Sequence, residues 1–160
     1  MENFLEKEAG KKVNNFIKQF DSSLEIIVLD KTARTAKDAA TALNCEVGAI
    51  VKSLLIKIEN DFLLCLVSGD KRCSLNKLKK ISEKKNVRMA SADEVKSQTG
   101  YTIGGVSPVG HINKIQIFID NSLSRFTDIF AAAGHPNVIF KINYEKLIQI
   151  TKGDVKDITE

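Results

Sequence analysis

The chain has 160 residues, 43% of them hydrophobic and 28% charged, with a formal net charge of +4. That length buries a real core, and that balance excludes wholesale disorder. No apolar run approaches the roughly 18 residues that span a membrane, and the acidic, amphipathic N-terminus has no signal-peptide core, so a cytoplasmic protein without a membrane partner is expected.

Phe4, Leu5, Ala9, Val13, Phe16, Ile17 and Phe20 recur at helical spacing, which predicts a helix over residues 4–20. The run LEIIVLD, residues 24–30, predicts a strand. Thr35 and Asp38 stand at capping-box spacing, so a helix follows them and stops near Asn44. EVGAIVKSLLIKI opens as a helical turn and continues as a strand; Glu59, Asn60 and Asp61 turn the chain, and FLLCLVS returns as the second arm of a hairpin. Cys65 lies in that arm and reads as a buried small hydrophobe. With Cys45 and Cys73 it makes an odd set without metal-ligand spacing, so neither a disulfide nor a zinc site is expected.

From Lys71 to Arg88 there are eight Lys or Arg and one acid, Glu83. Ser74 caps a basic helix over residues 74–83 in this segment. Two readings stay open: a solvated face, or an electrostatic footprint for phosphates. NVRMA is a short strand, SADEVKSQT a helix with an S-x-x-E box, IQIFID a strand, DIFAAA and VIFKI a hairpin-like pair, and a last helix starts at Asn143. Tight turns between strand pairs imply an α+β fold, one domain over residues 1–160 with a mixed sheet and flanking helices.

Residues 100–111, GYTIGGVSPVGH, hold four of the nine glycines and one of the two prolines; the other proline is in AAAGHPN, residues 131–137. The proline presets the residue before it, and glycine lets backbone N–H groups face a ligand. No phosphate-binding G-x-x-x-x-G-K-[ST], no G-x-G-x-x-G and no G-x-S-x-G elbow is present, so nucleotide hydrolysis, dinucleotide binding and serine hydrolysis find no support in the motifs. Lys52 stands among Ile50, Val51, Leu54 and Leu55: either a snorkelling side chain, or an ammonium aimed into a cleft.

Together, TARTAKDAATALNCEVGAIVKSLLIK, LVSGDKRCSLNKL, TGYTIGGVSPVGH, IFIDNSL and AAGHPN resemble the YbaK / prolyl-tRNA-synthetase-associated domain family, in order from about residue 32 to 141. The resemblance implies a compact domain with a curved mixed sheet around one pocket, and hydrolysis of the ester joining a wrong amino acid to the 3′-terminal adenosine of tRNA. It implies an essential lysine at Lys52 and a G-x-x-x-P loop at Gly104 to Pro108, including Gly105 and Ser107 and followed by Gly110. A G-H-P turn at Gly134, His135 and Pro136 and an acidic residue at Asp120 complete the set. Lys52, Gly104 and Gly105 are the expected catalytic groups, and Ser107, Pro108, Gly110, Asp120, Gly134 and His135 the expected substrate contacts. The GHPN turn looks more like the branches that clear Ala, Ser, Thr or small non-protein amino acids than the cysteine branch. No cofactor or metal is implied. The partners implied are the acceptor end of aminoacyl-tRNA, tRNA(Pro) first, and an aminoacyl-tRNA synthetase, with the basic helix near Lys77 to Lys85 tracking the acceptor stem.

An aminoacyl ester is already activated, so a positioned water and a stabilised oxyanion suffice, with no protein nucleophile. The rival reading is a module of the same fold that binds tRNA or a synthetase without catalysis.

Overall fold

The computed structural model describes residues 8–30 and 35–160. Helix starts that carry a short polar residue are capped by it. Thr35 and Asp38 close a capping box at α2 (Ala36–Leu43), Ser74 caps α3 (Leu75–Ser82), Ser91 and Glu94 close a second box at α4 (Ala92–Thr99), and Asn143 caps α5 (Tyr144–Thr151). Each such cap is worth about 1 kcal/mol to its helix. α1 spans Glu8–Phe20, and residues 4–7 of the expected first helix lie outside the described residues.

The strands are β1 (Ile26–Val28), β2 (Val51–Ile58), β3 (Asp61–Ser68), β4 (Val87–Met89), β5 (Gln116–Asp120), β6 (Asp128–His135), β7 (Val138–Asn143) and β8 (Asp154–Lys156). The α+β class and the hairpins are as the sequence predicts. The mixed sheet divides in two: a five-stranded sheet in the order β4-β2-β3-β5-β8 and an antiparallel three-stranded sheet in the order β1-β7-β6. β3 pairs in parallel with β5, and β5 with β8, which makes the larger sheet mixed. Among the described residues one parallel bridge, Ile50 to Phe130, joins the two sheets through the backbone, and their inner faces pack on each other.

Alternation along the strands sorts the core into three layers. Leu64 and Leu66 of β3, Ile117 and Ile119 of β5 and Phe140 of β7 face a central cluster closed by Val13 and Ile17 of α1 and Leu147 of α5. Leu63, Cys65 and Val67 point to the opposite face, under Leu78 of α3. Phe130 and Ile139 face away from the centre, under Ala39 and Ala40 of α2. A period of two thus places the buried apolar residues of β3, β5 and β7.

Candidate active site

β2 and β6 diverge from the Ile50–Phe130 bridge, and the fork between them is an open, largely apolar cleft of about 280 Å³. Val51, Leu55, Val95 and Val106 form its floor, and Phe130, Ala132 and Ile139 one wall. Met89, Ile103 and Pro136 stand at its rim, with Met89 47% and Ile103 60% exposed. Among the described lining residues Lys52 is the sole charged side chain.

The backbone of β2 matters as much as its side chains. β4 pairs only with residues 56–58 of β2, and the Leu55 carbonyl accepts from Ala90 N–H at 3.0 Å. In an antiparallel strand the peptide groups of alternate residues face the same edge. Those of Ser53 therefore point the same way as the Leu55 carbonyl, into the fork and away from β3. Ser53 Oγ is buried without a hydrogen-bond partner among the described residues. A polar notch thus interrupts an apolar cleft.

Lys52 is one residue earlier, on the α3 side of β2, half-buried, and its Nζ donates to the Lys71 carbonyl at 2.5 Å. Burial pulls its pKa below the ordinary lysine value, while Asp70, Cys73 and Asp120 push it up and Arg72 pulls it down. The carbonyl it grips belongs to a braced segment. Arg125 forks onto Asp70 at 2.7 and 3.0 Å and donates to Ser68 Oγ at 2.8 Å. Ser68 Oγ in turn donates to the Gly48 carbonyl at 2.5 Å, and Ser68 N–H donates to Asp120 at 3.0 Å. The Arg125 guanidinium holds the Asp70 carboxyl down at about 2, so the brace is charged at neutral pH.

Gly104 faces the cleft with φ at +88°, a conformation that L side chains resist. Gly105 is buried, and a Cβ there would sit 2.9 Å from the His135 Cα, so the glycine loop and the G-H-P turn touch backbone to backbone. One expectation is corrected: Gly105 N–H donates to the Thr102 carbonyl at 3.0 Å and is not free for an oxyanion. Gly104 alone of the pair lines the cleft.

Most of the expected substrate contacts lie behind this surface. Ser107 and Pro108 are buried; Ser107 Oγ accepts from Val109 N–H at 3.2 Å, and the Ser107 carbonyl lies 2.7 Å from His111 Nε2. Gly110 curls round the Tyr101 hydroxyl, which donates to the Val109 carbonyl at 2.8 Å. Asp120 is fully buried and accepts from Ser68 N–H, Ser122 N–H and Ser122 Oγ, so its lone pairs serve the fold rather than a ligand. Gly134, with φ at +94°, lets the turn pass Ala9 of α1. His135 Nδ1 accepts from Asn137 N–H at 3.2 Å, and Pro136 rather than His135 lines the cleft.

Among the described residues no three His, Cys, Asp or Glu side chains gather as a ligand set. No described His, Cys, Asp or Glu lines the cleft beside Ser53 or Thr35 to activate a hydroxyl. What the cleft offers is shape and outward peptide groups, with the Lys52 ammonium at its α3-side edge, shared with the adjoining cleft of Arg72, Cys73 and Glu160. Sequence reasoning missed Ser53, Met89, Ile103 and Phe130. Only the position of Ser53 next to Lys52 was a usable signal.

The profile of the aminoacyl-tRNA editing domain matches residues 30–150. A crystal structure of a proposed trans-editing enzyme for prolyl tRNA synthetase superposes with a TM-score of 0.91 at 34% identity, covering 96% of this chain and 98% of that one. EbsC of Enterococcus faecalis, named as a proposed Cys-tRNA(Pro)/Cys-tRNA(Cys) deacylase, is 26% identical over 126 residues, 78% of this chain and 77% of that protein. The proline–tRNA ligase of Staphylococcus haemolyticus is 33% identical over 113 residues, 68% of this chain but 20% of the ligase. With its lysine-edged cleft in the same α+β frame, the chain belongs to the aminoacyl-tRNA editing domain family.

Proposed function

We propose that the protein, as a single editing domain acting in the cytoplasm, hydrolyses the ester of a mischarged small amino acid (Ala, Ser, Thr or Cys) on tRNA, with tRNA(Pro) as the first candidate. The observation that carries this reading is the cleft itself: one half-buried ammonium, Lys52, at the edge of an apolar fork that Gly104 overlooks. The amino acid and the terminal adenosine would occupy the fork. Lys52 would orient the carbonyl or the adenosine's phosphate as a point charge. Gly104 and the Ser53 peptide would supply the fixed dipoles that an oxyanion needs.

Water is the nucleophile in this scheme, helped by the substrate's own 2′-hydroxyl or amine. The described lining residues support it, since they hold no base paired with a hydroxyl or thiol. Editing exists because one methylene in a synthetase pocket is worth only about 1–3 kcal/mol, so a second pocket must remove the mistake. The cysteine reading suggested by the name of EbsC and the small-residue reading implied by the GHPN turn lead to one panel. The ligase relative adds a synthetase as a candidate partner.

The test is release of amino acid from tRNAs charged with Ala, Ser, Thr, Cys and Pro by wild type and by Lys52→Ala. Release of one or two of these by the wild type, lost in a folded Lys52→Ala variant, is the expected result. No release above the buffer rate from any of them overturns this reading, in favour of an unusual amino acid first and then of a binding module.

A further inference from the structure

We propose that a second, basic cleft, formed by α3, β4 and the distal end of β2, binds the phosphodiester backbone of the tRNA 3′ strand as it leaves the editing cleft, a proposal that rests on the deacylase reading above. Lys57, Lys79, Lys85 and Arg88 line this cleft, which is open and has a volume of about 470 Å³, with Glu59 as the one acid among the described lining residues.

These four cations are not equivalent. Lys57 lies 3.4 Å from Glu94, and Arg88 forks onto Glu94 at 2.8 and 3.1 Å, so both are committed to a protein carboxylate. Lys79 and Lys85 are exposed and make no ion pair among the described residues. Lys77 shows what a structural lysine on the same helix looks like. It donates to Asp157 at 2.8 Å and to the Thr159 carbonyl at 2.6 Å, which takes it out of the footprint that the sequence suggests. The cleft thus keeps compact, strongly hydrated ammonium groups facing solvent, a chemistry suited to phosphate oxygens.

Two further features choose the ligand. Among the described lining residues there is no aromatic side chain, and the one guanidinium, Arg88, is held in plane with Glu94, so the backbone rather than a stacked base is what the free ammonium groups suit. The cleft also adjoins the editing site along β4: Val87 and Arg88 line the basic cleft, and Met89 and Ala90 line the apolar one. At roughly 3.3 Å per strand residue, the two are within about 10 Å, a reach of one or two nucleotides from a bound ester.

The experiment compares Lys79→Glu/Lys85→Glu with wild type on two substrates, a charged tRNA and the same amino acid esterified to adenosine alone, which has no phosphate. The binding of uncharged tRNA is measured alongside across a salt series. The double variant is expected to lose about tenfold in kcat/KM on charged tRNA, through KM, and to bind uncharged tRNA with a salt dependence shallower by about two. Its rate on the aminoacyl-adenosine stays at the wild-type value. Unchanged tRNA binding and salt slope, or an equal loss on both substrates, overturns the proposal. A wild type inert on both substrates sinks the deacylase reading instead, and the salt slope for uncharged tRNA then decides the basic cleft on its own.

Discussion

The Lys52 ammonium and the Lys71 carbonyl, 19 residues apart in sequence, meet at 2.5 Å. The contact aims a side chain that burial alone would leave searching for water. It also ties the charge of Lys52 to the Asp70–Arg125 brace behind it. Desolvation lowers the Lys52 pKa, and the Asp70 carboxylate is the largest opposing influence.

Deacylation that needs the Lys52 ammonium will therefore fall off on the alkaline side below the ordinary lysine value. Asp70→Asn removes the main support of the charge and shifts that limb to lower pH. Arg72, Cys73, Asp120 and, across the adjoining cleft, Glu160 stay in place as the other groups around Lys52. Rates corrected for spontaneous ester hydrolysis, taken across pH with wild type and Asp70→Asn, check this. Superimposable limbs would show that the brace does not set the charge.

The two loop glycines separate strain from collision. Gly104→Ala has room, with Pro136 3.7 Å from the new Cβ, but must hold φ at +88°, a cost of about 1–2 kcal/mol. Gly105→Ala has the easier backbone but meets the His135 main chain at 2.9 to 3.0 Å, so the loop and the G-H-P turn must part. Urea unfolding is expected to show the modest loss for Gly104→Ala. Deacylation is expected to collapse in Gly105→Ala even where the variant remains folded.

Ser53→Ala removes a buried hydroxyl that has no partner among the described residues. Leaving such a group unsatisfied costs about 1–3 kcal/mol, so the variant is expected to be at least as stable as wild type by urea unfolding. A clear loss of stability would show that Ser53 Oγ is paired in solution.

Acid will loosen the fold through the brace. The folded Asp70 carboxyl titrates at about 2, well below an unfolded aspartate near 4. Its contribution is present in full above the unfolded value and is lost as pH falls through the folded one. Glu94, held down chiefly by Arg88, follows the same sign. Unfolding midpoints measured from about pH 5 downwards are expected to fall less steeply in an Asp70→Asn/Glu94→Gln variant than in wild type.

What the sequence made legible was local. The alternation in FLLCLVS places Cys65 and Val67 on one face of β3 and Leu64 and Leu66 on the other, because a strand has a period of two. The boxes at Thr35 and Ser91 mark helix starts because their bonds close within three residues. Lys52 stood out because a charge among aliphatic neighbours needs a reason. The remainder depends on distant segments meeting. Nothing near Asp120 in sequence says that Ser68 will bury it, and nothing near Gly105 says that the His135 main chain will pack against it. β8 escaped because Asp154, Val155 and Lys156 are exposed and are held by pairing with β5 rather than by an apolar pattern.

The bridge from Ile50 to Phe130 closes one end of the apolar cleft, between β2 and β6. On the proposed deacylase reading, a slimmer acyl group would come closer to that closed end, and a bulkier one would be stopped short with its ester out of line. Selectivity of this kind would be graded, and it would reside in the side chains of the wall. Exchanging Phe130, Ala132 or Ile139 on the wall would move the stopping point while the closed end, built from main chain, stays fixed. Related chains could thus acquire new preferences among small amino acids without rebuilding the frame that holds Lys52.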